Sequence, residues 1–498
     1  MNLRQSYGQG FVPDDGKFSA LGISFDGQNI KEVSELNYSQ KIEKVRNLIK
    51  IWSKRNMTIF GRLTLIKCFL LSQFVYLINP LPSPSKKLII QINGLLYKFL
   101  WGGGREKLKR ELIGLPKEKG GIEMINFEDF ILGLKVKLLS KVLDTNFHHP
   151  WKRIILNQLK FSDHPIISIE AGAVKGNRTF CKDLVACFLN WKQLTARCRN
   201  KTANFCIWGG GIPGNDSLLW NNFLIAKNVL YASDFVSNHG QVLSYQDFRY
   251  KFNIRATMVT KTEYAHIVLA LRNFHSSADE LKSIMNIDPG MSLSILLGED
   301  KTSILMTDSK KIREMLVVRP AMEILSIPQF SQWSNDIEGL KNEEMWAQTL
   351  KNLYKISNHY KLIQHQYKIL TMIATSKYMR YKMKIETSHE CSHCLANTIE
   401  TLKHIYMDCP RSQNFYNMVV NFIKINLDNS FIGGKLYQVT CCHENIAISY
   451  LYLTANWYVG RKLQYGKRLY WDEFMKNLKS LLVGEKTAVT SMLENLLS

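Results

Sequence analysis

Between positions 389 and 410 the chain reads HECSHCLANTIETLKHIYMDCP, which places three cysteines and three histidines close together. Thiolate sulfur and imidazole nitrogen are the donors zinc takes, and a structural zinc site uses four of them in a tetrahedron. Cys391 and Cys394 make a C-x2-C turn that aims two thiolates at one point. His404 and Cys409 complete a C-x2-C-x9-H-x4-C set. His389 and His393 compete for a place in it. With four protein ligands no position is left for a metal-bound water, so the expected cofactor is one structural Zn2+. Such an ion supplies on the order of 10 kcal/mol of folding free energy in zinc-finger peptides. Cys441, Cys442 and His443 have no comparable spacing and read as ordinary residues.

The elements around this set read as helices. ETLKHIYMD is expected to be a short helix carrying His404 and bringing Cys409 back toward the C-x2-C turn. Upstream, Ile42, Val45, Ile49 and Trp52 share one helical face. A second helix starts at Thr58, a residue type suited to N-capping, and carries Phe60, Leu63, Ile66, Leu70 and Phe74 on one side. It stops at NPLPSPS, where proline cannot continue it. A third covers roughly 85–101. Only FSALGISFDGQNI alternates as a strand does, with Asp26-Gly27 as a turn signal. The Gly-rich IWGGGIPGND (207–216) lacks the Lys-Ser/Thr of a phosphate-binding loop. From Trp346 onward Tyr354, Tyr360, Tyr367, Tyr378 and Tyr381 stand among lysines, which suits either base stacking or aromatic core positions. No internal repeat is apparent.

Composition narrows the function classes. The 498 residues carry a formal charge of +23, which attracts polyanions, nucleic acid first and an anionic membrane second. Residues 41–119 hold seventeen Lys/Arg against four Glu, a balance of +13. Lys50, Lys54, Arg55, Arg62 and Lys67 have no acidic neighbour in sequence and are candidate phosphate contacts. Ten cysteines in a chain of this length, several of them isolated (Cys181, Cys187, Cys198, Cys206), do not make a disulfide scaffold. The polar first residues show no secretory signal. The longest apolar run, CFLLSQFVYLINPLP (68–82), is shorter than a bilayer span and is read as a buried helix. The protein is therefore expected in the nucleus and/or cytoplasm, neither secreted nor in a membrane.

Taken in order, LGISF, IKIWSKRNMTIFGRLTLIKCFLLSQFVYLINPLP, FLWGG, LPKEKGGIEMINF and CSHCLANTIETLKHIYMDCP resemble the C-terminal half of a LINE-type non-LTR retrotransposon reverse transcriptase. The resemblance implies that LGI belongs to the edge of the polymerase palm, that the following helices form the thumb, and that a helical connector leads to a Cys-Cys-His-Cys zinc domain. It further implies that Lys54, Arg55, Arg62 and Lys67 contact a template–primer duplex, and that Lys403 and Arg411 help the zinc domain bind the element's RNA or target DNA. The family's catalytic aspartates lie upstream of LGI. Asp14-Asp15 is too close to Leu21-Gly22 to be that motif, and no nuclease signature is found, so no catalytic residue is assigned and polymerisation by this chain is not expected.

The resulting expectation is a mainly α, multi-domain helical protein with a short N-terminal β remnant and a small zinc-stabilised domain. Its segments are 1–38 (palm edge), 39–145 (basic thumb), 146–345 (connector), 346–425 (zinc domain with flanking helices) and 426–498 (C-terminal basic helices). The expected function is binding of RNA, an RNA–DNA hybrid or DNA. The alternative is a zinc-stabilised interaction protein, the relic of a truncated element, whose partner is a full-length reverse transcriptase.

Overall fold

The computed structural model describes residues 17–26, 30–143, 147–157, 182–187, 207–208, 219, 221–274, 281, 294–297, 300–303, 308–317, 323–394, 397–464, 466–483, 485 and 493. Cys181, Cys198, Cys206, Asp14, Asp15 and most of the Gly-rich 207–216 stretch lie outside them. The described chain is mainly α-helical, and its sheets are two separate two-stranded hairpins. It folds as two compact units, each built from three stretches. One takes Met1–Asn47, Leu71–Asn93 and Asn126–Arg319. The other takes Leu48–Leu70, Gly94–Ile125 and Pro320–Ser498.

In the first unit Lys17–Ala20 pairs antiparallel with Ile23–Asp26. The turn is Leu21-Gly22, both with positive φ (52° and 75°), as a two-residue hairpin loop requires. Asp26 is the last strand residue, opposite Lys17, and Gly27, the other half of the expected Asp26-Gly27 turn signal, lies outside the described residues. The helix Ile30–Ser53 fastens the hairpin through Asn37, which accepts from Ser24 N–H (3.0 Å) and donates to Ser24 C=O (2.9 Å). Phe74 and Phe127 meet edge to face, centroids 4.9 Å apart, and Asn93 accepts from Phe127 N–H. The helices Phe127–Leu143 and Ser309–Val317 pack closely at Gly133, where a Cβ would come within 2.6 Å of Arg313 Cγ. Further along, Trp208, Phe235, Phe248 and Tyr264 form an aromatic core under short helices and turns. The hairpin Ser294–Leu297 with Asp300–Ser303 falls where only helices were expected.

In the second unit Thr58 is the N-cap foreseen, its hydroxyl accepting from Gly61 N–H at 3.0 Å. The helix it opens runs Ile59–Leu65 and widens into a π turn at Ile66–Leu70; the Ser72–Ile78 helix that follows belongs to the first unit. Phe60, Leu63, Ile66, Leu70 and Phe74 are all buried. The whole stretch Ile59–Ile78 is, among the described residues, long and apolar enough to cross a membrane, which the shorter run 68–82 did not suggest. Phe60 is ringed by Tyr354, Tyr360 and Tyr367. Tyr367, fully buried, donates to Gly120 C=O (3.1 Å), so here the aromatic is core.

The LPKEKGGIEM segment is a tight backbone fold. Gly120 is left-handed (φ 82°), and a Cβ on Gly121 would lie 1.9 Å from Leu115 O. Side chains are excluded at both places, which explains the Gly-Gly. The helix Ile446–Gln464 is apolar on nearly every side and forms the centre of this unit.

Candidate metal centre

Three pieces of local structure bring the cysteines and histidine together. Glu390 and Ile399 pair antiparallel, with Cys391 N–H donating to Thr398 C=O (2.8 Å) and Glu400 N–H to His389 C=O (2.9 Å). This narrow hairpin carries Cys391 and Cys394. Thr401 then caps the next turn, its hydroxyl accepting from His404 N–H. Within the short helix expected here, residues His404–Asp408 form a π turn rather than an α turn, closed by Cys409 N–H donating to His404 C=O at 2.7 Å. The difference is functional. An α-helix would rotate residue i+5 about 140° away from residue i, whereas the i+5 bond stacks Cys409 over His404. Pro410 then starts the helix Pro410–Asn426, where a missing N–H is harmless.

The ligand atoms of Cys391, Cys394, His404 and Cys409 all lie within 4.8 Å of one another. Cys394 Sγ is 3.4 Å from His404 Nε2. A zinc tetrahedron with Zn–S bonds of ~2.3 Å has edges of about 3.8 Å, so the set needs to close by no more than about an ångström. Cys391, His404 and Cys409 are buried and Cys394 is partly exposed. The Cys391 thiol, the His404 ring and the backbone N–H groups of Ser412 and Arg411 all point at the Cys409 sulfur, pulling it well below the usual thiol range. The same bond and burial push the Cys391 thiol up, and Cys409 with Cys394 raises His404. The Cys409 sulfur thus sits at a helix start, where a thiolate is favoured. Three sulfurs and one nitrogen in that state fit a soft divalent metal, and the four residues can hold one.

The competing histidines are turned elsewhere. His393 is buried with its ring nitrogen 3.2 Å from Leu463 C=O, and His389 packs against Tyr381, centroids 5.0 Å apart. Cys441 is buried, left-handed (φ 52°), and accepts from Asn456 Nδ2 at 3.2 Å. Sequence reasoning missed Thr398, whose hydroxyl is 3.3 Å from His404 Nδ1, and Glu400, whose buried carboxylate accepts from Lys377 N–H (2.9 Å). It also missed a polar network beneath the π turn. Tyr406 OH lies 3.0 Å from His365 Nε2, and Asn456 binds Gln366, Gln438 C=O and Tyr416. Nothing in the local pattern marks these residues, because each partner comes from a different helix.

The basic residues divide. Lys54 and Arg55 are exposed, and the Arg55 guanidinium lies over the Trp52 ring, 4.9 Å from its centroid. Arg62 is half-buried against Gly102, where a Cβ would be 2.7 Å from Nη1, and burial lowers its pKa. Lys67 is not without an acidic neighbour: Glu123, distant in sequence, lies 3.5 Å from Nζ. Lys403 Nζ is 2.5 Å from Asp336. Arg411 is exposed.

No family model matches the chain. Over 97 residues it is 28% identical to an Arabidopsis thaliana protein named "Putative ribonuclease H protein". The matched stretch is 18% of this chain and 16% of that protein's length.

Proposed function

We propose that this chain is the nucleic-acid-binding C-terminal part of a LINE-type reverse transcriptase, with a single structural zinc held by Cys391, Cys394, His404 and Cys409. The convergence of these four ligands carries the reading, since it is the arrangement the resemblance implies. The charge of +23 and the exposed Lys54 and Arg55 beside Trp52 support a polyanionic partner. The partial likeness to a plant protein named for ribonuclease H points to the same class of partner. Bound zinc would lock the hairpin, the π turn and the helix start into one piece, and the chain's own cations would contact phosphates. Lys54, Arg55 and Arg62 are the preferred contacts. Lys67 and Lys403, each beside a carboxylate, would contribute less.

The test is fluorescence anisotropy of a labelled RNA–DNA hybrid. Six to ten phosphate contacts weaken binding about 10³- to 10⁵-fold between roughly 50 and 200 mM salt. An affinity that barely moves with salt would sink the reading, as would purified protein holding no zinc by elemental analysis.

A second reading, a protein-interaction module, is favoured by the N-terminal hairpin. Phe18 is 48% and Leu21 86% exposed there, an apolar tip on a short hairpin. If a nuclease-treated full-length reverse transcriptase of this type is retained by the wild type and lost with Leu21→Asp, the partner is protein; equal retention rules that out.

A further inference from the structure

The helix Lys377–Lys382 is tied to the metal hairpin at its first turn. Glu400 accepts from Lys377 N–H with its buried carboxylate and from Tyr378 N–H with its backbone carbonyl (3.2 Å). At its other end Lys384 is left-handed (φ 58°), and Ile385 N–H reaches back to Arg380 C=O at 2.9 Å. Both ends are thus held by backbone bonds, and the short helix is a rigid extension of the hairpin.

What it displays is basic and aromatic. From Ser376 to Ile385 the chain has Lys377, Arg380, Lys382 and Lys384 and no acid. Tyr381 is 43% exposed and lies against the His389 ring on the hairpin. Lys382 Nζ sits 4.5 Å from the Tyr378 ring centroid, and Met383 and Ile385 are exposed beside it. The nearby acids are the buried Glu400 at the helix's first turn, Glu386, paired with Arg380 at 3.0 Å, and the exposed Glu390. Lys382 and Lys384 therefore face solvent next to an exposed ring.

We propose that the Lys377–Lys382 helix and the Cys391 hairpin together form a platform for single-stranded nucleic acid. An unpaired base stacks on Tyr381 beside His389, and Lys382 and Lys384 take the flanking phosphates. Duplexes do not suit it, because paired bases hide the faces that stacking needs. The inference rests on the nucleic-acid reading above and moves the metal domain's grip away from Lys403, which Asp336 holds.

The experiment uses the full chain and labelled oligouridylate, oligothymidylate and an RNA–DNA hybrid of equal length, with Tyr381→Ala and Tyr381→Phe. Tyr381→Ala should weaken binding of the single strands about 5- to 150-fold, the range that loss of one base–aromatic stack gives, and leave the hybrid within about twofold. Tyr381→Phe should keep wild-type affinity. Equal losses on single strand and hybrid, no loss on either, or heparin (a polyanion without bases) weakened as much as oligouridylate would each overturn the platform while the general reading stands. Wild-type protein that binds none of the nucleic-acid probes overturns the general reading itself. Preference for oligouridylate over oligothymidylate identifies RNA as the natural strand; the reverse identifies DNA.

Discussion

Two buried polar clusters, one in each unit, solve the same problem with opposite chemistry. In the first unit Lys135 is fully buried, its ammonium donating to Leu81 C=O (2.5 Å) and lying 3.2 Å from Asp183. Asp183 also accepts from Ser83 N–H and Oγ (3.0 Å each). Burial pulls Lys135 down, opposed by Asp183, and pushes the adjacent Cys187 thiol up to about 12. Here the cation is covalently part of the chain. In the second unit Cys391, Cys394, His404 and Cys409 converge without a cation of the chain's own, and one held there would come from outside. The first cluster ties a proline-rich turn, a long helix and a distant helical segment together without any bound ion. The second would tie its three pieces firmly only with a metal bound.

The largest effect that sharpens the contrast comes from metal. Chelation, or Cys409→Ser, should melt the 389–410 region at much lower temperature, since structural zinc contributes on the order of 10 kcal/mol. Hydrogen exchange should show protection lost around Cys391–Cys409 and kept around Lys135. If chelator leaves both regions equally protected, the site holds no structural metal.

Next is Lys135→Met. Removing one member of a buried pair costs about 3–5 kcal/mol, and the partial exposure of Asp183 places this one at the lower end. Denaturant titration should show the loss, and adding Asp183→Leu should recover most of it. A single variant as stable as wild type would mean the pair is not a tie.

His365 gives a pH handle inside the metal-bearing unit. Burial, with Lys368 nearby, lowers it to about 4 from 6.5. The unfolded chain therefore binds a proton that the folded chain refuses. Its contribution is complete above pH 6.5 and is lost as pH falls toward 4, on the order of 3 kcal/mol over that window. Stability measured against pH should lose that much of its slope in His365→Gln, the metal ligands being the same in both proteins. Unchanged slope would place the imidazole in contact with water.

The smallest is Thr58→Ala, which removes a hydroxyl cap and should cost about 1 kcal/mol by thermal melting. A cost near zero would mean the backbone N–H it serves finds another acceptor.

Much of the helical content could be read directly. The Thr58 cap, the stop at the Pro80–Pro84 cluster and the buried face from Phe60 to Phe74 follow from interactions within a few residues, which sequence spacing encodes. The four residues that could hold a metal were legible for the same reason, as their donor types are rare and closely spaced. The Lys67–Glu123 and Lys403–Asp336 pairs were not, because each joins residues more than fifty positions apart. The interleaving of stretches in the two units is equally long-range. The Leu21-Gly22 turn carries no Asn-Gly or Asp-Gly signature, and the four matched strand pairs that flank it select it.

By itself, then, the sequence determined the helical class, the excess of positive charge and which four residues could hold a metal. These depend on residue type and short spacing alone. Only the tertiary structure decided that a π turn stacks Cys409 over His404, that His389 and His393 face elsewhere, and which lysines already hold a carboxylate. Those outcomes depend on backbone geometry and on neighbours distant in the chain, which no local pattern records.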